Sequence, residues 1–236
     1  MDKNETCRRI EDVGIIPAIR VSSAEEAHFA AEAILSGGID VVEITLTVPR
    51  AVELITHLCH YHPKMVVGAG TVISLDLAQK ALDAGAAFLT SPGQSLKIVD
   101  FAVRNKIVAM PGALTPSEVI EAWEAGADFV KVFPCMDIGA ERYIRSLKSA
   151  LPQIPLIAAG GVSQQTAGSY ILAGASAIGV GRELIPPEAI ERRQSKRIKE
   201  LSLRFSGFVK EARERIEPPK QVAPGKFKRL EDCEKE

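Results

Sequence analysis

No excess of either charge runs through this chain: 29 Lys and Arg stand against 30 Asp and Glu, a formal net charge of −1. Without a global field to gather a polyanion, nucleic acid and anionic membrane are poor partners. Aromatic residues are scarce at 5%, whereas hydrophobic residues reach 46%, so the core must be built from aliphatic side chains, as buried parallel strands are. The cysteines Cys7, Cys59, Cys135 and Cys233 are scattered with no close pair. That spacing argues against a disulfide framework or a zinc site and reads as reduced thiols. No apolar run approaches membrane-spanning length, and the opening MDKNETCRRIEDVG has no signal-peptide core. The expectation is a soluble, cytoplasmic protein.

Short apolar runs alternate with amphipathic segments throughout, which is the rhythm of repeated βα units. Strands are expected at 14–20, 41–47, 65–70, 87–91, 108–112, 128–134, 155–160 and 175–181. The intervening helices carry start and stop signals: Ser23 with Glu26 three residues on, and Thr115-Pro116 with Glu118. Ala-Gly-Ala recurs at 84–86, 125–127 and 173–175 where a helix should give way to a strand. Eight such units predict an α/β fold, a (β/α)₈ barrel, with an extra N-terminal helix over 1–13 and an extended final helix over 187–215. The barrel is expected to fill 1–216 as one domain. The remainder, 217–236, is rich in Pro, Lys and Glu and reads as a flexible or loosely docked tail.

In a barrel of this kind the chemistry collects at the C-terminal ends of the strands. Alternation puts Glu43, Thr45 and Thr47 on one face of the second strand and Phe129, Lys131 and Phe133 on one face of the sixth. Glu43 and Lys131 can both point inward. An ion pair is the plain structural reading, yet desolvation consumes much of a buried pair's attraction. Burial between Val130 and Val132 also disfavours the ammonium, leaving a fraction of free amine near neutral pH. Such an amine attacks ketones to give a Schiff base, with Glu43 as general acid and base. A structural or phosphate-binding lysine is the competing reading.

The seventh and eighth strand ends, AAGGVS and GVGREL, place Gly160-Gly161 and Gly181-Arg182 where backbone N–H groups and a guanidinium can converge on an anion. Arg20, beside the GAGT turn with Thr71, offers a fork for a carboxylate, or is a solvated surface arginine. His57, His60 and His62 surround Cys59, but no carboxylate ligand pattern accompanies them, so a solvated helix end is preferred to a metal site. Cys135 has no histidine near a strand end to activate it and reads as a packing residue.

The ordered set VVEITLTVP, VGAGTV, LTSPG, MPGALTPSE, VKVFP, AAGGVS and IGVG resembles the 2-keto-3-deoxy-6-phosphogluconate (KDPG) and 4-hydroxy-2-oxoglutarate (KHG) aldolase family from about Ile10 to Pro186. The resemblance implies a class I aldolase on a (β/α)₈ barrel, a homotrimer needing no metal or other cofactor, acting on a small-molecule 2-keto acid. It implies Lys131 as the Schiff-base lysine, Glu43 as the proton shuttle, and Thr71, Pro92 and Phe133 around the pyruvate pocket. Gly160 and Gly161 match the phosphate loop, and Arg20 matches an arginine of some members. Three positions depart from the family: Thr47 stands for an arginine, Ala159 for a threonine and Arg182 for a serine. Retained aldol chemistry with altered distal recognition is the resulting expectation. A non-covalent phosphate-binding isomerase or lyase and a non-catalytic sugar-acid-binding barrel are the rivals.

Overall fold

The computed structural model describes residues 2–216, so the expected tail lies outside the described residues. Helix α1 (Lys3–Val13) leads into β1 (Ile15–Ile19), α2 (Ala24–Ser36), β2 (Val41–Thr45), α3 (Ala51–Tyr61), β3 (Val66–Gly70), α4 (Leu75–Asp83) and β4 (Phe88–Thr90). There follow α5 (Leu96–Arg104), β5 (Val108–Met110), β6 (Gly112–Ala113), α6 (Pro116–Glu124), β7 (Val130–Val132) and α7 (Glu141–Ala150). The chain continues through β8 (Leu156–Ala159), α8 (Ala167–Leu172), β9 (Ala177–Val180), α9 (Pro187–Glu191) and α10 (Ser195–Glu214).

Every strand pairing is parallel, in the order β5-β4-β3-β2-β1-β9-β8-β7-β6. The two ends of that order, β5 and β6, are the halves of the strand expected at 108–112, and Pro111, which has no N–H to donate, divides them. The first half pairs with β4 and the second with β7. Lys131 N donates to Pro111 O at 2.9 Å across the join, so the ring closes. Counted as one strand, the halves leave the eight of the expected barrel.

Two apolar layers follow from the alternation. Val41, Val66, Phe88, Val108, Phe129 and Ile157 fill the lower barrel, and Ile10 of α1 plugs it from below. The opposite faces of the strands meet the helices in the larger outer core. The Ala-Gly-Ala recurrence has a backbone cause: Gly85, Gly126 and Gly174 all take left-handed conformations, with φ of 90°, 96° and 101°, as each helix turns back toward a strand. The capping box at Thr115 and Glu118 forms as expected. At α2, Ser23 accepts from Glu26 N, but the Glu26 carboxylate turns to Ser22 instead.

One expectation fails. The final helix is not continuous over 187–215 but breaks into α9 and α10 at Arg192 to Gln194. Arg193 has a left-handed φ of 50°, its guanidinium lies 5.1 Å from the Phe29 ring centroid, and it donates to Glu25 O. A tertiary contact with α2 therefore sets the break, with no Gly or Pro to mark it. Beyond it, α10 packs on α2 and α8 and ends beneath the barrel. There Arg213 donates to Glu11 O, Asp12 O and Ser176 O, capping the end of α1. Lys3 pairs with Asp128 at 2.9 Å on the same underside. Among the described residues no helix is long and apolar enough to cross a membrane.

Candidate active site

The upper end of the barrel interior holds the charges that alternation directs inward. Lys131 Nζ lies 3.5 Å from Glu43 Oε2, and the two side chains are 12% and 5% exposed. The amine is thus lodged inside the mouth beside its acid, away from bulk water. It also lies 3.4 Å from Thr90 Oγ1 and 5.6 Å from the Phe133 ring centroid. Both polar distances are at the long limit of a hydrogen bond, as is common before a substrate tightens a site.

Glycine makes room for this arrangement. A Cβ built on Gly70 of β3 would come within 2.0 Å of Glu43 Oε1 and 2.5 Å of its carboxyl carbon, so the carboxylate occupies the space a side chain would take. One layer down, the Phe88 ring lies across Gly68 in the same way.

Above the pair opens a cavity of about 540 Å³ lined by Arg20, Glu43, Lys131, Phe133, Ala159, Gly160, Gly161, Gly181, Arg182 and Glu183, among others. Gly160 and Gly161 have φ of 85° and 84°, conformations that an L side chain rarely adopts. The Gly160 carbonyl is held from behind, accepting from Met136 N at 3.1 Å and from the Cys135 thiol at 3.7 Å. Because a trans peptide carries its C=O and N–H in opposite directions, the Gly161 N–H faces away from Met136. Arg182 is exposed at the rim, directly after Gly181.

Arg20 reaches across the strand ends, and its Nη2 donates to Thr71 Oγ1 at 3.3 Å. Thr71 has a φ of 60°, a strained conformation for a β-branched residue and one that concentrates at functional sites. Pro92 lies on the loop after β4, its carbonyl so close over Gly112 that a Cβ there would be 2.4 Å away.

Thr71, which reaches the cavity only through Arg20, and Pro92 lie outside the cavity lining, and Thr47 is not brought in at all. Strand β2 ends at Thr45, and Val48 N donates to Thr45 O to close a turn, so alternation no longer governs position 47. Thr47 is exposed outside the cavity lining, with Oγ1 3.0 Å from Thr45 Oγ1.

Two residues escaped the sequence reading. Thr90 and Gly70 sit inside motifs singled out for other positions, although the inward face of Phe88 should have carried the alternation to Thr90. Cys135 is fully buried, and burial pushes its thiol upward, away from the thiolate a nucleophile needs. His57 and His60 are exposed, as expected of a solvated helix end, whereas His62 lies against Glu32 of α2, with His28 3.6 Å from the same oxygen, which ties the end of α3 to α2. Among the described residues no group of three His, Cys, Asp or Glu could hold a metal ion.

The family model for KDPG and KHG aldolases matches residues 6–201, further than the motifs alone reached and into the first turns of α10. The chain is 32% identical over 157 residues to a 2-dehydro-3-deoxy-phosphogluconate aldolase of Zymomonas mobilis, covering 66% of this chain and 75% of that protein. It is 31% identical over 189 residues to the KHG/KDPG aldolase of Escherichia coli K12, covering 80% and 88%. Among solved structures, the KDPG aldolase of Legionella pneumophila, with pyruvate captured at low pH as a covalent carbinolamine intermediate, superposes with a TM-score of 0.78. That pair is 30% identical, and the match covers 84% of this chain and 96% of the other. With a matched model over most of its length, relatives at this identity and the same barrel, the chain belongs to the KDPG and KHG aldolase family, whose members are carbon–carbon lyases.

Proposed function

We propose that the protein is a class I aldolase that cleaves a 2-keto-3-deoxy sugar acid phosphate of the 2-keto-3-deoxy-6-phosphogluconate kind to pyruvate and an aldehyde, glyceraldehyde 3-phosphate for that substrate, with 4-hydroxy-2-oxoglutarate as a shorter alternative. The observation that carries this reading is the Lys131–Glu43 pair, 3.5 Å apart inside the mouth of a family barrel. Lys131 Nζ adds to the 2-keto carbon, and loss of water leaves a protonated Schiff base. That nitrogen draws the electrons of the C3–C4 bond toward itself as Glu43, directly or through a water, removes the proton of the C4 hydroxyl. The aldehyde departs, C3 is reprotonated, and hydrolysis releases pyruvate. Arg20 and Thr71 hold the carboxylate, with Pro92 and Phe133 against the pyruvyl group.

At the other end Gly160, Gly161, Gly181 and Arg182 bind the distal anion. Arg182 is the one fixed charge in that group, and a charge-assisted hydrogen bond to it is worth about 1.5–3 kcal/mol. Arg182→Ser should therefore lower kcat/KM for the six-carbon phosphorylated acid by about tenfold or more, while barely moving that for 4-hydroxy-2-oxoglutarate. Equal losses on both substrates would remove Arg182 from the site. The direct test of the reading as a whole is incubation with pyruvate and borohydride: a stable pyruvyl mass on Lys131 supports it, and its absence sinks it.

A homotrimer completes the proposal. Ile73 and Leu75 before and at the start of α4, and Leu96 at the start of α5, are exposed apolar side chains on neighbouring units of the barrel. Light scattering that returned the mass of one 25.4 kDa subunit would refute it.

A further inference from the structure

Thr90 closes β4, one step above Phe88 on the same inward face. The residue is 2% exposed. Its Oγ1, 3.4 Å from Lys131 Nζ, is as near to the amine as the Glu43 carboxylate, and no other partner for this hydroxyl occurs among the described residues. A hydroxyl buried this far is costly unless it is hydrogen-bonded, so the amine and the hydroxyl satisfy each other.

The two groups flanking the amine do different things. A carboxylate ion can only accept, so it serves a nitrogen that carries protons. A neutral hydroxyl oxygen also accepts an N–H but takes no proton, so it can hold the amine while the carboxylate moves protons. A lysine that passes from amine to Schiff base carries an N–H throughout, so the hydroxyl oxygen can accept from it in both states while the lone pair of the free amine stays turned to the substrate carbonyl.

We propose that Thr90 is a further catalytic residue, whose hydroxyl holds Lys131 Nζ in line for attack and then accepts the N–H of the protonated Schiff base. The inference rests on the lysine-aldolase reading above. In the attack the Nζ lone pair forms the C–N bond and the carbonyl π pair moves to oxygen, while nitrogen gives up one proton and oxygen gains one. In the dehydration a second proton, relayed by Glu43, joins the hydroxyl; water leaves, and the nitrogen lone pair closes the C=N bond. Thr90 forms no covalent bond in either step. Its oxygen accepts from the nitrogen throughout, which leaves the lone pair free to attack.

The test compares Thr90→Val, which keeps the branched shape and loses the hydroxyl, with Thr90→Ser, which keeps the hydroxyl. The rate of adduct formation at Lys131 is measured by rapid mixing with pyruvate and quenching with borohydride, and folding is checked by thermal melting. Thr90→Val should slow trapping by about ten- to a hundredfold, and Thr90→Ser should stay within about threefold of the original chain. If the valine variant fails to fold, Thr90→Ala takes its place against Thr90→Ser. Trapping by a folded hydroxyl-free variant at the original rate overturns the role of Thr90. No adduct in the unsubstituted protein is a separate outcome, which removes the Schiff-base reading itself.

Discussion

Lys131→Ala is expected to lose cleavage of every 2-keto acid substrate by about four orders of magnitude or more, since removing a covalent nucleophile leaves only binding and electrostatics to act. Borohydride should then fix no pyruvyl mass at position 131, whereas the unsubstituted protein should gain one. The folded state should survive. Stranding one partner of a sealed ion pair costs about 3–5 kcal/mol, but Glu43 borders a cavity of about 540 Å³ through which water can reach the carboxylate. A thermal melt measures that cost independently of activity. Undiminished turnover in a folded Lys131→Ala variant would end the covalent mechanism, leaving the lysine as an electrostatic catalyst at most.

Gly70→Ala should be nearly as damaging, although it removes no functional group. The added methyl would occupy the position of the Glu43 carboxylate, 2.0 Å from Oε1 and 2.7 Å from Cγ. Strand β3 cannot step aside, because it is paired in register on both edges, with Thr45 opposite Gly70 on β2 and β4 on its other side. The carboxylate must swing away from Lys131. Cleavage should fall by about a hundred- to a thousandfold, the range of a displaced general acid–base group. Glu43→Gln should fall in the same range, and both variants should retain slow adduct formation with pyruvate because the lysine is untouched. An alanine variant with unchanged kcat would show that Glu43 does no proton transfer in its observed position.

The barrel and its central pair are legible in the sequence for one shared reason. Alternation in parallel strands, with helices capped at one end and turned by glycine at the other, is a local rule repeated many times, and Lys131 and Glu43 obey it within their own strands. Legibility stops where a distant contact decides. Position 193 breaks the last helix because Phe29, far back in the chain, receives its guanidinium. The role of His62 depends on Glu32 of another helix. Thr47 was misplaced for a different reason: alternation was carried two residues past the end of β2 into a turn. Thr90 was within reach, since the same alternation that found Lys131 runs from Phe88 to Thr90, but Ser91-Pro92-Gly93 drew the reading to the loop beyond.

The clamp of Arg213 on α1 fixes more than a helix end. It gathers both extremities of the described chain at one pole, while reactants enter and leave at the other. A fusion partner or a solid support joined directly at residue 2 or residue 216 would sit the full height of the barrel away from the entrance. Immobilised in that way, the protein would keep its entrance open to small molecules diffusing from solution.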